Sequence, residues 1–187
     1  MSYKENLVRV LNENPERVID WFDDFADDND YRNQYAFMSN FYERPVHYGG
    51  HEFPTSEHAF AHAKVDPYDD MAETWMELIR EAADPGTAKV MGRQCPLRAD
   101  WEIVKFWVMQ QIVEAKFRQH ADLAAALIAT GDAYLQEGTF WSDVVWGVDA
   151  SRDHEEWWER PGSNWLGVIL MSVRARLKAE WAEGVRA

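Results

Sequence analysis

Phe53-Pro54-Thr55-Ser56-Glu57-His58-Ala59-Phe60-Ala61-His62-Ala63-Lys64 opens with a helix start. Pro54 rejects a helix interior, and Thr55 or Ser56 can accept a hydrogen bond from the orphan N–H groups of a first turn. Glu57 then falls in that turn, near the positive end of the helix dipole. Phe60, Ala61 and Lys64 follow three, four and seven residues later, on the same face. A carboxylate, an aromatic ring and an ammonium on one stripe are an odd mixture for a core helix. The plain alternative is a capped helix with a dipole-matched Glu and a Lys whose stem lies along apolar surface.

Working outward, residues 35–53 are aromatic and short-patterned, and Gly49-Gly50 between Val46-His47-Tyr48 and His51-Glu52-Phe53 predicts a two-residue hairpin. Downstream, Asp70 to Ala82 reads as a helix with Met71, Trp75, Leu78 and Ile79 inward. Asp84-Pro85 caps another that ends near Gly92-Arg93. Between Arg98 and His120 the residues Trp101, Val104, Val108, Ile112 and Ala115 recur at helical spacing. Asp100 is the expected N-cap there, with Lys116 and Arg118 at the dipole's negative end. Leu123 to Ala129 extends to a further helix closed by Thr130-Gly131. Residues 132–163 read as mostly irregular, and Ser163-Asn164 can cap a last helix carrying Leu166, Ile169, Leu170, Val173 and Leu177 inward. The fold expected is mainly α with a short β-hairpin, a single compact helical domain.

Residues 1–34 read as an acidic N-terminal helical extension. Positions 1–30 hold nine Asp or Glu against three Lys or Arg, with Leu7, Val10, Leu11 and then Val18, Trp21, Phe22 and Phe25 at helical spacing on either side of Pro15. The segment is a solvated face or a surface for a protein partner. Residues 35–183 form the main domain.

The chain of 187 residues has a net charge of −14, which argues against a broad basic footprint for nucleic acid but leaves room for a small cationic pocket. The lone cysteine, Cys95, excludes an internal disulfide and a Cys-rich metal site. No apolar run approaches the roughly 18 residues of a membrane span, and the N-terminus lacks a signal h-region. The expectation is a cytoplasmic protein with no membrane partner and no cofactor. Ten tryptophans are many for this length, and several gather in residues 141–158, where an indole can stack on a sugar or base.

Asp143 and Trp146 lie in Ser142-Asp143-Val144-Val145-Trp146-Gly147. A second carboxylate there could work with Glu57, since paired carboxylates cleave glycosidic bonds through an oxocarbenium-like transition state. A rival chemistry uses His58 and His62, one helical turn apart as zinc-binding histidines are, with His51 near in sequence. Ala59 stands where a metalloprotease would carry its glutamate, and no third ligand is evident, so no metal is assigned.

Phe37-Met38-Ser39-Asn40-Phe41-Tyr42, Phe53 to Phe60 with Lys64, Ala88-Lys89 with Met91-Gly92-Arg93, and Arg98 to Glu102 with Lys105 and Met109 occur in order. Ala115-Lys116-Phe117, Leu127 to Gly131, Asp143 to Gly147, and Asn164 to Met171 with Arg174 complete the series. The chain so resembles the NADAR family (NAD- and ADP-ribose-associated) over about residues 35–178. The family includes an N-glycosidase of riboflavin-pathway intermediates. The resemblance implies a largely helical fold and hydrolysis of an N-glycosidic bond between ribose and a base or amine. It implies that Glu57 and Asp143 are catalytic and that Trp101 and Trp146 bind substrate. Lys64, Arg93, Asn40 and Asn164 match polar motif positions assigned to substrate phosphate or ribose.

Thr139-Phe140-Trp141 and the aromatic stretch Val148 to Ser163, with Trp157-Trp158, depart from the family pattern and bear on substrate identity rather than bond type. Two substrates compete: an ADP-ribosylated nucleobase, free or in single-stranded or flipped-out nucleic acid, and a phosphoribosylaminopyrimidine intermediate of riboflavin synthesis. A non-catalytic ADP-ribose or nucleotide binder is the rival from another class, disfavoured because a binder of anionic phosphates gains nothing from two carboxylates.

Overall fold

The computed structural model describes residues 18–22, 31–140, 143–151 and 159–184. The helix expected around Leu7, Val10 and Leu11, the run Asp23 to Asp30 with Phe25, and the indoles Trp141, Trp157 and Trp158 lie outside the described residues. The described residues of 1–39 and 125–184 make one compact unit, and 40–124 make the other.

The 40–124 unit opens with the expected hairpin, β2 (Val46–Tyr48) against β3 (His51–Phe53), paired Val46 to Phe53. Gly49 and Gly50 both take positive φ, +58° and +86°, the pair of left-handed residues that a type I′ turn demands. Four helices follow: α1 (Ser56–His62), α2 (Ala72–Arg80), α3 (Pro85–Gln94) and α4 (Trp101–Gln119). Asp84 caps α3 as expected, accepting from Thr87 N at 2.8 Å with Pro85 in the first turn. Asp100 stands at the start of α4 but spends its carboxylate on Arg98, at 2.6 and 3.0 Å, rather than on the helix. Gln119 closes the far end of α4 onto the hairpin, exchanging hydrogen bonds with His47 N and O at 2.8 Å each. In α2, Ile79 is buried while Met71 and Leu78 face outward, against the inward placement expected of them.

The core beneath α1, α2 and α3 is built of small groups: Ala61, Val65, Ala72, Ile79, Ala88 and Cys95. Small residues let the helices approach closely. A Cβ on Gly92 would lie 2.8 Å from Cβ of Ala61 and 3.1 Å from its Cα, so α3 can pass α1 at this distance only with glycine there.

The expectation of a mainly α chain in a single helical domain is overturned by the other unit. Six α-helices are joined among the described residues by a three-stranded parallel sheet as well as the hairpin, so the fold is mixed α/β. β1 (Val18–Phe22) runs parallel to β4 (Tyr134–Thr139), which runs parallel to β5 (Val148–Asp149). The helix read from Val18, Trp21 and Phe22 is therefore a strand. Its adjacent β-branched Val18 and Ile19 suit a pleated chain, and pairing with β4 decides the outcome over spacing. β4 escaped notice because it is the central strand. It is buried on both faces, so it shows no alternation, yet it carries Gln136, Glu137 and Gly138 in place of the usual aliphatic run.

α5 (Ala121–Ala129) ends at Thr130-Gly131 as expected, with Gly131 at φ +67°. The turn it enters is held from α6 (Trp165–Ala182), where Arg174 donates to Thr130 Oγ1 and Ala133 O at 2.7 and 2.8 Å and Lys178 donates to Gly131 O at 2.5 Å. Cations here also meet the negative end of the α5 dipole. Arg160 pairs with Asp20 and so ties the chain before α6 to β1. Among the described residues no helix is long and apolar enough to cross a membrane.

Gly92→Ala is expected to lower stability by about 1–3 kcal/mol, the usual cost of forcing a methyl into a packed contact. Urea unfolding measures it, and an unchanged midpoint would contradict the close passage of α3 over α1.

Candidate active site

Thr55 is the N-cap of α1, extended at φ −144°, and its hydroxyl oxygen faces His58 N. The same hydroxyl meets His58 Nδ1 at 2.8 Å while His58 Nε2 lies 3.2 Å from Ala82 O. Ala82 O can only accept, so Nε2 carries the proton and Nδ1 accepts from Thr55. Burial holds the His58 pKa below its ordinary value and keeps this neutral tautomer. Both ring nitrogens are thus spent on anchoring the start of α1. Among the described residues no group of three or more His, Cys, Asp or Glu is arranged to hold a metal ion.

With the start of α1 fixed, Glu57 is buried at 5% exposure in the first turn. Its own N–H donates to Asn40 O at 3.0 Å, and Asn40 Nδ2 reaches Met109 Sδ at 3.2 Å. Asn40 therefore sets the entry to α1 through its backbone and α4 through its side chain. Lys64, one residue past the α1 C-cap, has its ammonium 4.8 Å from the Phe60 ring centre and 5.9 Å from that of Trp101. The two rings lie 5.0 Å apart. Trp101 is 6% exposed, so most of its indole is spent on this stack.

Burial pushes the Lys64 pKa down from its ordinary value. The Glu57 carboxylate pulls it back up, while the charges of Lys89 and Arg93 push it further down. Lys64 therefore feels one buried carboxylate, Glu57, and two further cations, Lys89 and Arg93. Lys89 lies 5.0 Å over the Phe41 ring, and Arg93 is exposed beside Gly92, where α3 packs on α1. Lys116 lies in the last turn of α4 as expected, and is buried there between Tyr42 and Phe117.

Asp143, Trp146 and Asn164 belong to the other unit. Asp143 Oδ1 accepts from Val145 N and Trp146 N at 3.2 and 3.0 Å, which makes an Asx turn. Its Oδ2 accepts no hydrogen bond among the described residues. The carbonyls of Val144, Val145, Trp146 and Gly147 accept from the N–H groups of Ser163, Trp165, Leu166 and Asn164 in that order. The N–H groups of Asn164, Trp165 and Leu166, at the start of α6, thus find partners in the Asp143 turn. A Cβ on Gly147 would meet Glu137 O at 2.7 Å and Thr139 Cγ2 at 2.8 Å, so the turn lies directly on β4.

Of the residues singled out by sequence, Asn40, Glu57, Lys64 and Trp101 lie together in the 40–124 unit, with Arg93 acting on Lys64 through its charge. Asp143, Trp146 and Asn164 lie together in the other. Lys89 was not among them, and its signal was its place one helical turn before Arg93 on α3.

The chain is similar to known proteins over most of its length. The NADAR domain model matches residues 25–178. N-glycosidase YbiA of Shigella flexneri serotype 5b is 39% identical over 150 residues, spanning 79% of this chain and 85% of the relative. The NMR structure of the E. coli protein YbiA superposes with a TM-score of 0.68 at 37% identity, covering 87% of this chain and 88% of that one. The riboflavin biosynthesis protein VVA0006 of Vibrio vulnificus is 35% identical over 77% of this chain, which spans 36% of that longer protein. The chain belongs to the NADAR domain family.

His62, at the end of α1, has its ring 5.3 Å from His51 and 4.9 Å from Phe53. Burial first, then the charges of His51 and Arg80, lower its pKa to about 4. An unfolded His62 takes up its proton near pH 6.5, and the folded one does so only near pH 4, so His62 subtracts stability as pH falls through that window. Melting temperatures at pH 7 and pH 4.5 should converge in His62→Gln relative to the wild type. An equal acid-induced drop in both proteins would contradict a neutral, buried His62.

Proposed function

We propose that this chain hydrolyses the N-glycosidic bond between a phosphorylated ribose and a nucleobase, with an ADP-ribosylated nucleobase as substrate. The chain is an enzyme, a hydrolase of N-glycosyl bonds, as the relatives named N-glycosidase at high coverage indicate. The observation that carries the finer reading is the buried Glu57 acting on Lys64, with Lys89 and Arg93 also within electrostatic reach of Lys64, in a chain of net charge −14. Cations close to one another in an acidic protein, with a buried carboxylate beside Lys64, suit a ligand bearing both phosphate and developing positive charge.

In this reading the bond from ribose C1 to the base nitrogen breaks and its electron pair leaves with the base. The ribose is left as an oxocarbenium ion. Glu57 faces that cation, stabilises it and orients the water whose oxygen adds to C1, and the water's proton passes out as the base nitrogen is protonated. The α1 dipole favours the charged form of a carboxylate at this position. Lys89 and Arg93 neutralise phosphate oxygens, Arg93 as a two-pronged donor. Trp101 supports Lys64 through its ring face. Asp143 has Oδ2 clear of the Asx turn, and we assign it to ribose hydroxyls, with Trp146 stacking on the base. A free or flipped-out nucleotide suits the acidic chain better than a long duplex.

A second reading, cleavage of a phosphoribosylaminopyrimidine of riboflavin synthesis, is favoured by the name of the Vibrio relative. It requires the same bond to break and the same phosphate charge to be met.

The test is sugar release from ADP-ribosylated guanosine and, separately, from the phosphoribosylaminopyrimidine, with EDTA present. Release from the first at the higher kcat/KM is expected, and a preference for the second selects the other reading. Tight ADP-ribose binding without turnover of either would contradict both. Glu57→Gln is expected to keep its melting profile and lose about 10²–10⁴ in kcat, the range for a removed acid–base group. An undiminished rate would take Glu57 out of the reaction.

A further inference from the structure

The buried Asn164 side chain has both of its donors and one acceptor position committed within the fold. Its Oδ1 accepts from Glu137 N at 3.1 Å, and its Nδ2 donates to Leu135 O at 2.8 Å and to Tyr134 Oη at 3.1 Å. All three partners are on β4. The residue is 2% exposed and sits at φ +50°, ψ +38°, a left-handed conformation that asparagine tolerates better than most residues. In that conformation its side chain does not cap its own helix. It turns instead onto the strand, while the backbone N–H groups on both sides of it run to the Val144–Gly147 carbonyls. Three residues on, a Cβ at Gly167 would lie 2.2 Å from Leu135 O and 2.6 Å from the Asn164 amide atoms. The spacing Asn-x-x-Gly is thus one device: the asparagine clamps β4, and the glycine lets the first turn of α6 come close enough for it to do so.

We propose that Asn164 is a positioning residue rather than a substrate contact. It fixes the first turn of α6 on β4, and that turn in turn holds the Asp143–Trp146 loop by four backbone hydrogen bonds. The expectation that Asn164 binds phosphate or ribose is replaced by this role. The consequence for turnover rests on the reading of Asp143 and Trp146 given above; the consequence for the order of the loop does not.

The geometry supplies a clean variant. Asn164→Gly keeps the left-handed backbone without steric cost and removes the amide clamp alone. Two readouts separate the claims. The first is hydrogen exchange at the Val145, Trp146 and Leu166 amides, with Leu170 in the α6 interior as reference. Exchange at the three is expected to quicken more than about tenfold, with Leu170 unchanged, because loosening β4 from α6 frees the loop. The second is steady-state turnover of the ADP-ribosylated nucleoside, where kcat/KM should fall by about tenfold or more, because Asp143 and Trp146 are then no longer held for ribose and base. Asn164→Asp retains the acceptor for Glu137 N and loses the donors, so it should fall between wild type and Asn164→Gly in both readouts. It also serves if the glycine variant does not fold.

Loop exchange at the wild-type rate in either folded variant would overturn the proposal. A fall of about tenfold in kcat/KM with loop exchange at the wild-type rate would restore Asn164 as a ligand contact. A wild-type protein inactive on every N-riboside would defeat the functional reading only, and the exchange rates would still decide the role of Asn164.

Discussion

A seven-residue helix that carries a carboxylate at 5% exposure in its first turn must keep that charge solvated by something other than water. Removing a lone carboxylate from solvent costs several kcal/mol or more, enough to unfold a small unit by itself. In the 40–124 unit the helix dipole and Lys64, at the other end of the same stripe, offset that cost. The Glu57 carboxylate opposes the loss of charge that burial imposes on Lys64. Small residues at the α1–α3 contact, Ala61 and Gly92 above all, bring the two helices near enough for these charges to act on one another. The helix start therefore depends on neighbours far along the chain, and the chemistry depends on the helix start.

The other unit solves a geometric problem instead of an electrostatic one. Its loop from Asp143 to Gly147 presents polar and aromatic groups, yet a five-residue loop has little of its own to hold it. Order comes from three directions: the Asx turn of Asp143 onto Val145 and Trp146, the α6 amides onto the loop carbonyls, and β4 pressed against Gly147. A helix N-terminus is commonly an anion site because its donors are unpaired. Here they are consumed by the loop, so the positive end of α6 serves positioning.

How far the sequence could be read depended on where each element draws its stability. Elements specified by local chemistry were legible: the Gly49-Gly50 hairpin, the Asp84-Pro85 cap of α3, the start of α1 at Thr55 and the stop after Ala129. The parallel sheet was not. Val18–Phe22 is short enough that one apolar spacing fits both helix and strand, and only its pairing with Tyr134–Gly138 selects the strand. Tyr134–Thr139 carries polar residues on a fully buried strand, which no periodicity rule recovers. For the site, Glu57 and Lys64 could be chosen because one helix places them on one stripe. Asn164 could be chosen but not understood, since its role follows from a left-handed backbone and three partners some 27 to 30 residues away. Lys116 could be placed in the last turn of α4, but its burial could not be read, since Tyr42 arrives from a distant part of the sequence.

The interdependence of Glu57 and Lys64 is the claim on which the account of catalysis stands, and a double-mutant cycle on turnover reaches it most directly. kcat/KM for the ADP-ribosylated nucleoside would be measured in wild type, Glu57→Gln, Lys64→Met and the double variant, each checked for a native melting profile. If the two charges sustain one another, the double variant loses no more than the worse single variant, because either change alone already disables the pair. Losses that multiply, each substitution acting as if the other residue were untouched, would contradict it.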